Sequence, residues 1–312
     1  MDMAYPGYQR IIAINDHPLY LQGEFEGDPE QDLEPRFYVQ GGPRVVIYYL
    51  GEKVVKGRFR VPISITPGQA VDPAVQALLM AAEYPMSDTK IKSNYVLSNY
   101  SITANMNRGF GTYSRLAFDC VGITELTMTV PNRGAVTIDV QFLAMISPSE
   151  AGVVPNPAVS SLMRRNLVSA DCDVRIEEPE YEWETARSMT LKISNEISPI
   201  VVMRSYESLT DQPEFLAMKT SEVWGDITYS VDRGTIEEER ASLPSGGWFA
   251  TNLAMDFGGV AIARILHAIM KVTDQPLRGT EMIERNTRFL AAFRSPALSE
   301  SLGRVFEFPG SS

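Results

Sequence analysis

The sequence predicts a mainly β protein made of two tandem strand-rich modules, each a β-sandwich or barrel with few accessory helices. Three observations predict this fold: two-residue alternation of apolar and polar side chains, Pro, Asn and Gly turns between the alternating segments, and short sequence echoes shared by the two halves. A chain of 312 residues is long for one domain and sufficient for two hydrophobic cores. We expect a first module over 1–152, a helical connector over 153–169 and a second module with a C-terminal helix over 170–312.

Three pairs of segments carry the predicted repeat, and they occur in the same order in both halves. They are 14–19 with 194–200, then 35–37 leading into 45–49 with 213–215 leading into 223–231, then 131–134 and 142–144 with 276–279 and 289–291. No single match is specific, but their shared order predicts that one ancestral module was duplicated. Relative to the second module, the first carries an insertion over about 62–97 that contains a helix.

In the first half, the polar stretch 23–40 is rich in turn residues and predicts a loop. Asp72-Pro73 then predicts a helix start, because Asp is a preferred N-cap and Pro suits the first helical position. Val75, Leu78, Leu79 and Ala82 fall on one stripe of this helix, which we expect to end by Pro85. Strand alternation follows over 113–121, with Phe118 and Cys120 on one face. Segments 123–130 and 136–142, joined by the turn 131–134, predict a hairpin with one buried face.

The second half has the same character. Met189, Leu191 and Ile193 alternate with polar residues, a short turn is expected around Pro199, and alternation returns over 223–231. The apolar stretch 258–272 fits either a bent strand pair or a helix over about 260–271. Loop composition marks 234–247, and Asn156-Pro157 and Ser295-Pro296 predict two further helix starts.

The formal charge of −11 opposes simple nucleic-acid binding, because neutralising phosphates requires an excess of Lys and Arg. Acidic residues cluster at 24–34, 171–184 and 237–239. These clusters are either solvated loops or an acidic surface that releases a passing polyanion. No run of about twenty apolar residues is present, so no membrane span is expected. The first residues lack the features of a signal peptide, and a reducing compartment is expected.

Residues for catalysis or metal binding do not cluster in the sequence. His17, before a proline in a predicted hairpin turn, and His267, in an apolar stretch, are far apart and leave no metal-ligand spacing with Cys120 and Cys172. Both thiols are expected to be buried or idle. The glycines at 109 and 111 mark a short turn between strands and do not form a phosphate loop.

The carboxylates at 171, 173, 177 and 178 lie in a polar connector with no apolar pocket to shift a pKa. The sequence therefore predicts no catalytic, cofactor-binding or metal-binding residues, no cofactor and no enzymatic activity. Trp183, Trp224 and Trp248 lie in separate segments and are expected to anchor a core or an interface.

Two tandem strand-rich modules in an acidic chain without catalytic residues resemble the tail-tube family of tailed bacteriophages, including its tube-initiator and baseplate-hub relatives. In the first half, 10–21, 44–50 and 100–145 resemble the family's order of early hairpin, strand into a long loop, and later strands. In the second half, 191–203, 222–231 and 260–293 resemble that order, which closes on an aromatic residue.

The resemblance implies a structural protein of the virion tail, assembled in the host cytoplasm. It implies a homo-oligomeric ring, either a trimer with pseudo-sixfold symmetry or a hexamer, that can stack and contact other tail proteins (sheath, tube or baseplate). DNA would pass through an acidic lumen during ejection without specific binding. Two alternatives remain open: a baseplate-hub or tube-initiator ring, and a non-enzymatic β-sandwich module for receptor binding or as an adaptor.

Overall fold

The computed structural model describes residues 10–14, 17–22, 25–38, 45–65, 71–82, 102–109, 112–146, 165–176, 181–182, 186–200, 215–232, 249–257, 260–276 and 282–291. These residues are mainly β-strand, which confirms the predicted class. All but two short strands belong to one large antiparallel sheet, and one α-helix occurs among the described residues.

The strands of the first half precede residue 150. They are β1 Arg10–Ile14, β2 His17–Tyr20, β3 Glu26–Tyr38, β4 Val45–Pro62, β5 Ser64–Ile65, β6 Ile102–Gly109, β7 Thr112–Val130 and β8 Thr137–Ile146, with helix α1 Pro73–Ala82 between β5 and β6. Their pairing order in the large sheet is β3-β4-β8-β7-β6-β1-β2. The order follows from two hairpins, β1–β2 and β3–β4, and a three-stranded meander, β6–β7–β8, because β8 pairs with β4 and β6 pairs with β1.

The strands of the second half follow residue 164. They are β9 Arg165–Asn166, β10 Cys172–Ile176, β11 Tyr181–Glu182, β12 Ala186–Ile200, β13 Phe215–Asp232, β14 Phe249–Phe257, β15 Val260–Pro276 and β16 Met282–Ala291, with a short 3-10 helix at Ser169–Asp171. Apart from β9, which pairs with β5, their order is β12-β13-β16-β15-β14-β10-β11. Strand β12 also pairs with β7, so both halves share one sheet.

The predicted alternation is confirmed across the centre of this sheet. Leu126 and Met128 on β7, Ile138 and Val140 on β8, and Leu191 on β12 are buried, while the residues between them are partly or fully exposed. One continuous hydrophobic cluster contains side chains from both halves and from α1. Burial of one face by two-residue periodicity therefore fixes the register of these strands.

Strand β7 departs from its predicted alternation at Cys120. Its pairing with β8 shifts between Asp119 and Gly122, and Cys120 has a positive φ of 51°. Phe118 and Val121 are both buried, whereas Cys120, predicted to share the face of Phe118, is half-buried. The bulge inverts the alternation after Phe118 and bends the strand, so the prediction for Cys120 is wrong.

Helix α1 is confirmed where Asp72-Pro73 predicts its start. The Asp72 carboxylate accepts hydrogen bonds from the Ala74 N–H at 2.9 Å and from the Ser64 hydroxyl at 3.1 Å, which caps the helix. The predicted stripe is buried against β7, β1 and β2. The helix ends at Ala82, and the residues from 83 to 101 lie outside the described part of the chain.

Two polar segments predicted to be loop or connector are strands. Residues 26–38, inside the predicted loop 23–40, form β3, and residues 172–176 and 181–182, inside the acidic stretch 171–184, form β10 and β11. β3 contains Pro29 and Pro35 and pairs with β4 alone among the described strands. An edge strand tolerates prolines and polar side chains because only one of its sides needs backbone partners.

The turn predicted around Pro199 is wrong, because β12 continues through Pro199 to Ile200 opposite β13. The open choice for 258–272 resolves to strand, since β15 begins at Val260. In the predicted helical connector 153–169, the described residues from 165 form β9 and part of a 3-10 helix. The helices predicted at Asn156 and Ser295, the loop 234–247 and the acidic cluster 237–239 lie outside the described residues.

Candidate assembly surface

The contact between β7 and β12 is the seam that joins the two halves. Its register runs from Met189 opposite Val130 to Ser194 opposite Glu125. On the partly exposed face of the seam, the Lys192 ammonium lies 2.8 Å from the Glu125 carboxylate and 5.7 Å from the centroid of the Trp224 ring. The seam therefore combines backbone pairing, one ion pair and a cation–π contact.

Asn195 follows the last paired residue of the seam and is buried. Its side-chain amide donates hydrogen bonds to the Ile123 carbonyl at 2.8 Å and to the Ala82 carbonyl at 2.9 Å. Ala82 ends α1, where carbonyl groups lack partners within the helix. One amide of the second half thus satisfies two buried carbonyls of the first.

The two halves place a glycine opposite a phenylalanine at matching points. Gly57 on β4 lies opposite Phe142 on β8, and Gly225 on β13 lies opposite Phe289 on β16. A Cβ at either glycine would overlap the phenylalanine ring and a backbone oxygen of the preceding hairpin strand. Only glycine fits at these two close approaches.

Counting from these glycines, the hairpins β3–β4 and β12–β13 have the same register. Both have a register shift in their outer part, and beyond it Pro35 lies opposite Tyr48 as Pro199 lies opposite Leu216. The echo between 142–144 and 289–291 therefore occupies matching positions. The match of 14–19 with 194–200 does not, because Ile14 ends β1 whereas Ser194 lies inside β12. The match of 35–37 with 213–215 does not either, because Pro35 corresponds to Pro199 in the register.

The outer part of the β12–β13 hairpin packs on the first half. Leu216 is fully buried in a small cluster with Val54 of β4 and Leu143 of β8. Leu143 is 6% exposed, whereas Leu290, next to Phe289 as Leu143 is next to Phe142, is 41% exposed. The second half therefore presents a large apolar side chain at a place that is covered in the first half.

Between residues that the structure describes, four ion pairs lie on the exposed face of the large sheet, and the charges within each pair cancel. They are Glu26–Arg58 at 2.5 Å, Asp139–Arg60 at 2.5 Å, Glu125–Lys192 at 2.8 Å and Asp226–Arg288 at 3.1 Å. The hydrogen bonds from Arg58 lower the pKa of the Glu26 carboxyl, and the same contact raises the pKa of Arg58. The net charge of −11 is therefore carried by the rest of the chain.

The two histidines and Cys172 lie on three different strands. His17 begins β2, His267 lies in β15, and Cys172 begins β10. Burial, with a smaller effect from the Asp171 charge, raises the pKa of the Cys172 thiol to about 12. No group of three or more His, Cys, Asp or Glu side chains that could hold a metal occurs among the described residues. Glu177 and Glu178 lie outside them.

Sequence reasoning missed three buried side chains with polar groups in the core of the second half. Arg285 and Thr287 on β16 and Tyr229 on β13 are each at most 1% exposed. The matching positions of the first half hold Ile138, Val140 and Val61. The alternation of β16 contained the signal, since Arg285 and Thr287 are spaced by two residues from Phe289.

Comparison with protein-family models and with curated proteins gives no match. No helix in the described part of the chain is long and apolar enough to span a membrane. Several strand edges have no partner among the described strands, including the outer edges of β2 and β11 at the two ends of the main path. Two of the open edges correspond to the two sides of the seam: the outer edge of β3, which corresponds to β12, and the edge of β15 over residues 271–276, beyond its pairing with β14, which corresponds to β7. These edges, with Leu290, form the candidate assembly surface.

Proposed function

We propose that this chain is a structural ring-forming protein of a phage tail, built from two tandem modules of tail-tube type. The observation that carries the proposal is the seam, in which a strand edge of one half pairs with a strand edge of the other. A head-to-tail contact of this kind closes into a ring when its rotation divides a full turn. The chain already makes this contact once within itself.

The repeated pairing order supports two tandem modules. The series β1, β2, β3, β4, β6, β7, β8 and the series β10, β11, β12, β13, β14, β15, β16 have the same order of pairing. The glycine–phenylalanine pairs and the matching prolines add residue-level support. Helix α1 and β5 then belong to the insertion of the first module.

A ring of six modules requires three chains of this kind, which gives a trimer with pseudo-sixfold symmetry. The resemblance to tail-tube proteins supports this stoichiometry and gives the lumen its role as a path for DNA. The net charge of −11 favours passage of DNA without binding. In this proposal the excess acidic charge near the lumen comes from residues other than the four ion pairs.

Native mass measurement with negative-stain electron microscopy tests the proposed function. Three chains of 34.7 kDa give about 104 kDa and a ring with a central channel. Long tubes would identify a tube subunit, and isolated rings a hub or initiator. A monomer at all concentrations would contradict the proposal and favour a binding or adaptor module.

Charge reversal to Lys within 24–34 and 171–184 tests the acidic lumen separately. Glu26 and Asp171 are left unchanged because they pair with Arg58 and Arg165. Asp28 and Glu30 are also left unchanged because they lie on the open edge of β3. The reversed protein should still form rings but should slow or trap DNA during ejection. Unchanged ejection would exclude these segments as the lumen lining.

A further inference from the structure

We propose that copies of this chain join by repeating the internal seam, so that β15 of one copy pairs with β3 of the next. This inference rests on the proposed ring and specifies its interface. Strand β15 holds the place of β7, and β3 holds the place of β12, in the two series of pairings. Both edges are open among the described strands, as a repeat of the seam requires.

The internal register predicts the register between copies. Glu125 and Lys271 match because they lie opposite Gln141 and Arg288, which precede Phe142 and Phe289. Arg58 and Asp226 match because they follow Gly57 and Gly225. Their strand partners are residues 26 and 190, so Asp28 and Lys192, two residues further along, also match. Inside the chain, Ser194 lies opposite Glu125 and Lys192 lies opposite Thr127. The matching pairs between copies are Lys271 opposite Glu30 and Thr273 opposite Asp28, in an antiparallel ladder.

The charges at the predicted junction are complementary. Inside the chain, Glu125 of β7 pairs with Lys192 of β12. At the junction the matching residues are Lys271 of β15 and Asp28 of β3, so the signs are exchanged and the attraction is kept. Glu30, directly opposite Lys271, adds a second acidic group, and Lys271 is exposed in the single chain. Opposite charges across strands stabilise such pairs.

The exposed Leu290 gives independent support. Inside the chain, Leu216 of the β12–β13 hairpin covers Leu143. Leu290 holds the place of Leu143, and Tyr48 of the β3–β4 hairpin holds the place of Leu216. When β3 of a second copy pairs with β15, its hairpin reaches Leu290, and position 48 takes the place that position 216 has inside the chain. The same contact between copies thus accounts for an open strand edge and for an exposed apolar side chain.

Charge reversal tests this interface. Lys271→Glu places like charges at every junction, and so does Asp28→Lys/Glu30→Lys. Each should lower the ring fraction at a fixed concentration by about tenfold or more. The combination of all three substitutions should restore the fraction to within about twofold of the original protein. Arg133→Glu, an exposed turn residue away from both edges, is the matched control and should leave the ring fraction unchanged.

Cysteine cross-linking tests the register without disturbing the charge pattern as strongly. Under oxidation, Asp28→Cys/Thr273→Cys should give covalent multimers that end at the ring stoichiometry. Asp28→Cys/Gln275→Cys, displaced by two residues along the ladder, should give few. Both pairs keep the native cysteines, which are not joined by a disulfide.

The outcomes separate the interface from the proposed function. Rings that resist both charge reversals and do not cross-link through positions 28 and 273 would overturn the interface while the ring function stands. A wild-type protein that never leaves the monomer would overturn both. Cross-linked multimers with rescue by the triple variant would support the β15–β3 junction.

Discussion

Replacement of Asn195 tests the seam between the halves most sensitively within a single chain. In Asn195→Ala, the Ile123 and Ala82 carbonyls lose the amide that lies 2.8 and 2.9 Å from them. Each buried carbonyl left without a donor costs about 1–3 kcal/mol. Allowing for partial relaxation, the free energy of unfolding should fall by about 2–4 kcal/mol. Equilibrium urea unfolding followed by tryptophan fluorescence measures this change.

Asn195→Asp adds a test through pH. A carboxylate facing two carbonyl oxygens is repelled, so the folded protein should raise the pKa of the new carboxyl above its unfolded value near 4. A raised pKa means that stability is lost as pH rises through the unfolded and then the folded pKa. Asn195→Asp should therefore have a lower free energy of unfolding than Asn195→Ala at pH 7. Part of this difference should be recovered at pH 4, where a protonated carboxyl can donate one hydrogen bond.

Glu196→Ala is the control for these variants. Glu196 is the exposed neighbour of Asn195, and its carboxylate accepts a bond from the Thr220 hydroxyl at 3.4 Å. Its replacement should change the free energy of unfolding by about 0.5 kcal/mol or less. If Asn195→Ala unfolds at the same urea concentration as Glu196→Ala, the amide does not hold the seam and the argument fails.

Three further outcomes are expected. Gly225→Ala should lower the unfolding free energy by about 1–3 kcal/mol in urea, because the added Cβ meets Phe289 and a backbone oxygen; an unchanged midpoint would refute this. Cys172, whose pKa is raised to about 12, should react with iodoacetamide at pH 8 at least about tenfold more slowly in the native than in the denatured protein. A hydrogen bond from the Val168 N–H, with a smaller effect from the Arg165 side chain, lowers the pKa of Asp171. Asp171→Ala should therefore lower the free energy of unfolding by about 1 kcal/mol at pH 7. That difference should disappear as pH falls below the usual Asp range and through the lowered pKa, and a difference that persists at pH 2 would count against it.

The sequence predicted the strands that bury one face and missed those that do not. Segments 123–130, 136–142 and 189–193 alternate because one side of each faces the core. β3 has no such pattern, since it is an edge strand with two prolines and several acids. Its strand character comes from pairing with β4, which is a tertiary contact that no local pattern encodes.

The assembly surface was the least predictable feature. The acidic stretch 24–34 was visible in the sequence, but its place in the edge strand β3 depends on the pairing of β3 with β4. The bulge at Cys120 and the continuation of β12 through Pro199 change which residues match between the halves. The match of 142–144 with 289–291 already makes Leu290 the counterpart of Leu143, but only the structure shows that Leu143 is covered and Leu290 is exposed.

Class averages of the purified protein by electron microscopy, with native mass measured on the same sample, test the central claim most directly. The claim predicts rings of three chains with six similar lobes and an open centre. Particles of one chain, unchanged as concentration rises, would contradict it.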